Sequence, residues 1–191
     1  MANKLHPVML ALTGAGISKA SGIPTFIDVP DIKEKLTVDY KATHKKEFDM
    51  AMEVLKGNIK GRKPNAAHKA LVEFRIPIVT MNVDGLHQKA GSDIVIECHG
   101  NILSDSVVLY GQDGHYQGAF ELLSLLTDNA DAHSRKKVLF VIGTSMMTQF
   151  ANDFVTEAMM DNWKIVEINS DAEHRVVQEV QKAIEELSIK E

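Results

Sequence analysis

The chemistry in this 191-residue chain is written in short polar strings that interrupt apolar runs. The first is Thr13-Gly14-Ala15-Gly16-Ile17-Ser18, directly after the apolar run 8–12. Two glycines two apart let the backbone turn sharply and come close to a ligand. A helix opening behind them would turn free N–H groups toward phosphate. A strand, a glycine turn and a helix start together make a diphosphate site. Ser21-Gly22-Ile23-Pro24 follows as a rigid, non-helical segment able to close over the rest of a dinucleotide. The third glycine of the common dinucleotide fingerprint is replaced by Lys19, which argues against an ordinary dehydrogenase.

Asn82 and Asp84 lie two apart after another apolar run and share a face if the chain stays extended. An amide and a carboxylate at a strand end suit a polar ring such as a carboxamide. Taken alone, the pair reads more readily as a turn in which both side chains bond their own backbone. His99 ends the string Val95-Ile96-Glu97-Cys98-His99-Gly100. Imidazole titrates near neutral pH and can serve as a general base, although an isolated histidine is more often a buried, bonded one. Neighbouring strand residues face opposite ways, which sends Cys98 to the core. One cysteine excludes an internal disulfide and any multi-cysteine metal site, and the eight histidines form no metal pattern.

Stepping between these strings are the elements that must hold them. Apolar runs predict strands at 8–12, 76–80, 93–97, 138–142 and 164–168, and a short strand-like piece at 107–110. Helical spacing marks 42–55, 64–74, 119–126, 150–160 and 175–187. Pro64 suits the first turn of its helix, while Gly57-Asn58 and Gly61 stop the one before it. Residues 27–31 look like an irregular loop. Strands alternating with helices, and apolar on both faces, predict a parallel sheet covered on both sides. Ligands of such sheets sit at the carboxyl ends of the strands. Gly14, Asn82, His99, Gly143 and Asn169 all fall there.

The chain is 45% hydrophobic and 25% charged, with a formal charge of −5. One domain of ordinary globular composition is expected. The net charge excludes a bulk attraction to nucleic acid or anionic membrane, and no apolar stretch reaches transmembrane length. Residues 1–7 are polar and lack a secretory pattern, so a cytoplasmic location is expected.

In order along the chain, Gly14-Ala15-Gly16-Ile17-Ser18, Ser21-Gly22-Ile23-Pro24 with Phe26, Asn82-Val83-Asp84-Gly85-Leu86-His87, Glu97-Cys98-His99-Gly100, Gly143-Thr144-Ser145 and Ile168-Asn169 resemble the motifs of the sirtuins, NAD-dependent protein lysine deacylases. The resemblance spans residues 10–169. It implies NAD as co-substrate, held at the diphosphate by Gly14, Ala15, Gly16 and Ser18. It places Ile23, Phe26, Asn82 and Asp84 around the nicotinamide half. Gly143, Thr144, Ser145 and Asn169 then meet the adenosine half. His99 and Asn82 become the catalytic residues. Val108, Leu109, Tyr110 and Gly111 become the strand to which an acyl-lysine protein or peptide adds by main-chain pairing. The implied reaction releases nicotinamide and forms O-acyl-ADP-ribose. Two alternatives stay open: an NAD glycohydrolase or ADP-ribosyl transferase, and a non-catalytic NAD or ADP-ribose binder.

Departures from the family pattern are equally specific. Four zinc-binding cysteines usual between the His-Gly and Gly-Thr-Ser motifs are absent, and the segment 101–142 is short. The implied fold is therefore α/β, a Rossmann-like parallel sheet with helices on both faces. It carries a reduced helical small domain around 31–62 and no zinc ribbon or metal. Thr25 and Ile27 stand where the family has Asp and Arg, Met81 where it has Gln, Ala20 where it has Glu, and Gln112 where it has Glu.

Overall fold

The central strand dictates the layers. Along Val8–Thr13, Val8, Leu10 and Leu12 turn to one face while Met9 and Ala11 turn to the other, the period of two that a doubly covered strand requires. A computed structural model describes residues 4–25, 30–104, 106–146 and 148–190. Its elements are β1 (Lys4–Leu5), β2 (Val8–Thr13), a 3₁₀ turn (Ala15–Ser21), α1 (Pro30–Lys35), α2 (Val38–Thr43), α3 (Lys45–Ile59) and α4 (Ala66–Glu73). They continue as β3 (Ile78–Thr80), α5 (Leu86–Ala90), β4 (Val95–Glu97), α6 (Gln117–Ala132), β5 (Lys137–Ile142), α7 (Gln149–Met160), β6 (Lys164–Ile168), α8 (Ala172–Leu187) and β7 (Ile189–Lys190).

Five parallel strands lie in the order β4-β3-β2-β5-β6. The expected Rossmann-like parallel sheet is therefore present. From β2 the chain steps outward to β3 and β4, then returns to place β5 on the other side of β2. The reversal point of such a sheet is where a crevice opens. Register puts Thr13 level with Thr80 on one side and Ile142 on the other, so the turns leaving all three strands emerge together. Helices α6 and α7 bury Leu123, Ala151 and Phe154 against Leu10, Leu12 and Val141. Helices α4 and α8 bury Leu71, Val176 and Val180 against Ile78, Phe140 and Ile142. Helices α1 to α3 pack through Ile32, Leu36 and Phe48, joined by Leu109 from the far end of the loop after β4. β1 pairs antiparallel with β7 in a separate two-stranded sheet.

Local chemistry moved several boundaries. The helix expected over 42–55 is two helices, divided at His44, whose φ of −131° is not helical. Gly57-Asn58 does not stop α3, which runs on to Ile59; Gly61, at φ +77°, marks the actual exit. Pro64 lies outside its helix. Asn65 is the cap, accepting from the N–H groups of Ala67 and His68. Pro30 opens a helix instead of extending a loop, and residues 26–29, including Phe26 and Ile27, lie outside the described residues. Residues 107–110 are not a strand of the sheet; their one bridge joins Tyr110 to Thr37.

Beneath the crevice, His68 of α4 and His87 of α5 are buried with ring centroids 4.9 Å apart. His68 Nδ1 lies 2.9 Å from Asn65 Oδ1, and His87 Nε2 lies 3.0 Å from the Thr13 hydroxyl. Their other nitrogens, His68 Nε2 and His87 Nδ1, have no partner. Burial pushes His68 down to about 4 and His87 down to about 3, His68 adding repulsion to the latter. Both folded values lie below the ordinary imidazole value, so the unfolded chain gains protons first as pH falls. The stability is complete above about pH 6.5 and drains away below it. Moving from pH 7 to 4.5 should cost roughly 2–3 kcal/mol per imidazole. Urea midpoints across this range test it, and a flat profile would contradict it.

Candidate active site

Where β2 and β5 end, two turns press backbone against backbone. Gly16 N–H donates to the Gly143 carbonyl at 2.8 Å, and Gly14 N–H to the Ile142 carbonyl at 2.9 Å. A Cβ on Gly16 would lie 2.6 Å from Gly143 Cα, and one on Gly143 would lie 2.3 Å from Ile17 N. Gly143 also sits at φ +61°, a left-handed conformation that glycine adopts without penalty. The expected row of free N–H groups is not what the turn offers. The N–H groups of Gly14 and Gly16 are taken by the Ile142 and Gly143 carbonyls of the adjoining strand end, and that of Ile17 by Gly14 through the 3₁₀ winding. What the glycines provide is closeness and space.

A cleft of about 570 Å³ opens over these turns. Gly14, Ala15 and Gly16 line it with Gly143, Thr144, Ser145 and Asn169. Asn82, His99 and Tyr110 also line it. The strand tips thus converge as the spacing implied. Ser18 does not face the cleft. The turn rotates it inward, where its buried hydroxyl donates to Asp84 Oδ2 at 2.7 Å.

Asp84 and Ile23 instead line a side chamber that shares Ala15, Thr25, Met81 and Asn82 with the main cleft. Its other walls are the apolar Pro24, Ile32, Leu55, Ile59 and Val83 and one further amide, Asn58. Asp84 does both of the things its sequence allowed. It borders the chamber, and its Oδ1 accepts from Leu86 N–H at 2.9 Å, capping α5. Burial raises its carboxyl above the usual carboxylate range, opposed by the Leu86 and Ser18 bonds. Asn82 is tied to the glycine turn, its amide donating to the Gly14 carbonyl at 3.1 Å.

Of the pair after β4, Cys98 is fully buried and His99 reaches the cleft. His99 Nδ1 lies 3.0 Å from the Met81 carbonyl, and Nε2 lies 3.2 Å from the Tyr116 hydroxyl. Burial lowers its pKa, and the Met81 carbonyl partly restores it. The Tyr116 contact carried no signal in the sequence. The acidic Asp171 and Glu173, which line the cleft with Asn169, were also missed. Their place just past β6 was the available cue.

Val108, Leu109 and Gly111 do not line the cleft, and the edge they form is already engaged. Tyr110 N–H donates to the Leu36 carbonyl at 3.0 Å and its own carbonyl accepts from Val38 N–H at 3.1 Å. Leu109 N–H donates to Gln112 Oε1 at 2.8 Å, while its carbonyl accepts from Gln112 N–H at 3.0 Å. A peptide adding at Leu109 must first displace Gln112.

Among the described residues no group of three or more His, Cys, Asp or Glu side chains could hold a metal ion. No helix there is long and apolar enough to cross a membrane.

A model of the Sir2 family matches residues 14–124. An NAD-dependent protein deacylase of Aggregatibacter actinomycetemcomitans is 30% identical over 185 residues, covering 81% of this chain and 89% of that protein. An NAD-dependent protein deacylase of Pyrococcus furiosus is 43% identical over 104 residues, 49% of this chain and 42% of its own length. Among solved structures, Sir2 in complex with the inhibitor EX-527, 2'-O-acetyl-ADP-ribose and deacetylated p53 peptide superposes with a TM-score of 0.71. It is 25% identical and covers 94% of this chain and 93% of that one. With the strand tips, the glycine seam and the histidine in their places, this chain belongs to the Sir2 family, the sirtuins.

Proposed function

We propose that this chain is an NAD-dependent protein lysine deacylase that releases nicotinamide and forms O-acyl-ADP-ribose. One observation carries the reading: His99 and Asn82 border the same cleft as the three interlocked glycines. The cleft fits NAD as co-substrate. Side-chain-free walls at Gly14, Gly16 and Gly143 admit a diphosphate, and the adjoining chamber pairs apolar walls with an amide and a carboxylate, which suits a flat ring bearing a carboxamide.

When bound, NAD supplies a ribose carbon that becomes electrophilic as nicotinamide leaves. Ile23, Asn82 and Asp84 orient the departing ring, with Phe26 the remaining family position on that side. Thr144, Ser145 and Asn169 flank the adenosine half. The acyl oxygen of the substrate lysine bonds to the exposed carbon. His99, neutral because burial holds its pKa down, accepts a proton from a ribose hydroxyl, whose oxygen bonds to the acyl carbon; a water adds there as the bond to the lysine nitrogen breaks, and the free lysine amine leaves O-acyl-ADP-ribose behind. The partner is an acyl-lysine protein or peptide. We place the protein in the cytoplasm.

Capping of Leu109 by Gln112 favours a second reading, NAD glycohydrolase or ADP-ribosyl transfer, which needs no added strand. Incubation with NAD, with and without acyl-lysine peptides, separates the two. The deacylase reading expects nicotinamide and O-acyl-ADP-ribose only with peptide. Nicotinamide release that ignores the peptide supports the second reading, and binding without turnover overturns both.

A further inference from the structure

The connector between His99 and α6, residues 100–116, brings a tyrosine onto the histidine. We propose that Tyr116 is a positioning residue for His99: its hydroxyl donates to Nε2 and fixes the ring with its proton on Nδ1 and its lone pair on Nε2. This rests on the reading of His99 as the proton-accepting group.

Hydrogen-bond direction carries the argument. The Met81 carbonyl only accepts, so Nδ1, 3.0 Å away, must bear the hydrogen. Neutral imidazole then has its lone pair on Nε2, and the group facing that nitrogen at 3.2 Å is the Tyr116 hydroxyl, which can donate. Nε2 is thereby the ring nitrogen that keeps a lone pair, and the Tyr116 hydroxyl that holds it must turn aside before a substrate hydroxyl delivers its proton there.

Tyr116 is itself held. Its ring stacks on Phe150 of α7, centroids 4.5 Å apart and 12° from parallel, and meets His99 edge-on at 5.9 Å. The Gly114 backbone passes so near that a Cβ there would lie 2.2 Å from Tyr116 Cζ. His115 N–H donates to the Cys98 carbonyl at 2.8 Å, tying the connector to the residue before His99. The titratable groups around the pair are Cys98, Asp113 and Tyr110; α7 presents apolar Phe150 and the exit of β3 presents the Met81 carbonyl. Burial pushes the Cys98 thiol up to about 12. Burial first, then Cys98 and Asp113, raise the Tyr116 hydroxyl, which keeps it a donor.

A donor to the lone pair stabilises the neutral ring, so its loss raises the apparent pKa of His99. In the full chain, Tyr116→Phe should raise the His99 titration, followed by ¹⁵N NMR, by about half a pH unit or more. Acyl transfer should fall about 3- to 10-fold. NAD affinity in the same samples should stay within about twofold, which reports on folding. An unchanged titration and rate, or a faster rate, overturns the proposal. So does wild-type protein whose His99 carries its proton on Nε2, a result that needs no variant. His99→Ala separates the two levels. If it retains acyl transfer, the base assignment fails; if it abolishes transfer while Tyr116→Phe changes nothing, only the positioning role fails.

Discussion

His99→Ala is expected to lower acyl transfer about 10²- to 10⁴-fold, the usual contribution of a positioned general base. Rapid-quench measurement of O-acyl-ADP-ribose formation reads this directly, and NAD binding measured beside it should change little. The prediction follows from geometry. His99 is the imidazole on the main cleft, whereas His68 and His87 lie buried beneath it. The pH profile carries the sign. A folded pKa below the ordinary imidazole value leaves the ring unprotonated, and so competent as a base, below pH 6.5. The acid limb of acyl transfer should therefore fall below pH 6.5 and vanish in the alanine variant. An alanine variant with more than a tenth of the parent rate would remove His99 from the reaction.

The second large effect is on the fold itself. Gly143→Ala should destabilise the chain by more than about 4 kcal/mol, or prevent folding. Two costs add. Alanine is strained at φ +61°, and its Cβ would meet the backbone of Gly16 and Ile17 at 2.3–2.7 Å. Backbone on backbone has no rotamer to yield, so the two turns must separate and the cleft they line goes with them. Gly57→Ala is the matched control. It lies within α3 with no atom near its Cβ position, and should gain about 0.5–1 kcal/mol. Urea unfolding of the two variants tests the contrast. A Gly143→Ala protein within about 1 kcal/mol of the parent would show that the turns part easily.

The strands were legible because burial on two faces writes continuous apolar runs. β6 appears at 164–168 as expected, and β5 began one residue earlier than the run 138–142. The positions just past the strands were legible for the same reason, since a polar or glycine residue after such a run has to leave the sheet. Contacts set by loop path were not. Nothing in periodicity says that the chain from Gly111 to Tyr116 folds back on Cys98, so the Tyr116–His99 bond was invisible. Gln112 read as a departure from a family pattern, not as a side chain that caps the next-but-two residue upstream. Ser18 was named with the diphosphate through the family resemblance alone, and no spacing in the sequence announced the bond its hydroxyl makes to Asp84.

The central ladder joins Val8 to Lys137 and Thr13 to Ile142, partners separated by most of the chain. On a ribosome, the strand bearing the glycine string would wait with one flank bare until about two thirds of the polypeptide had followed it. Loop closure on that scale is slow, and an uncovered parallel edge is adhesive in the meantime. Fragments ending soon after His99 would hold most of the chemistry yet lack the strand against which the nucleotide cleft is built. Halves of this molecule are thus poor reporters of the whole, and its manufacture in a cell places a premium on shielding the nascent sheet.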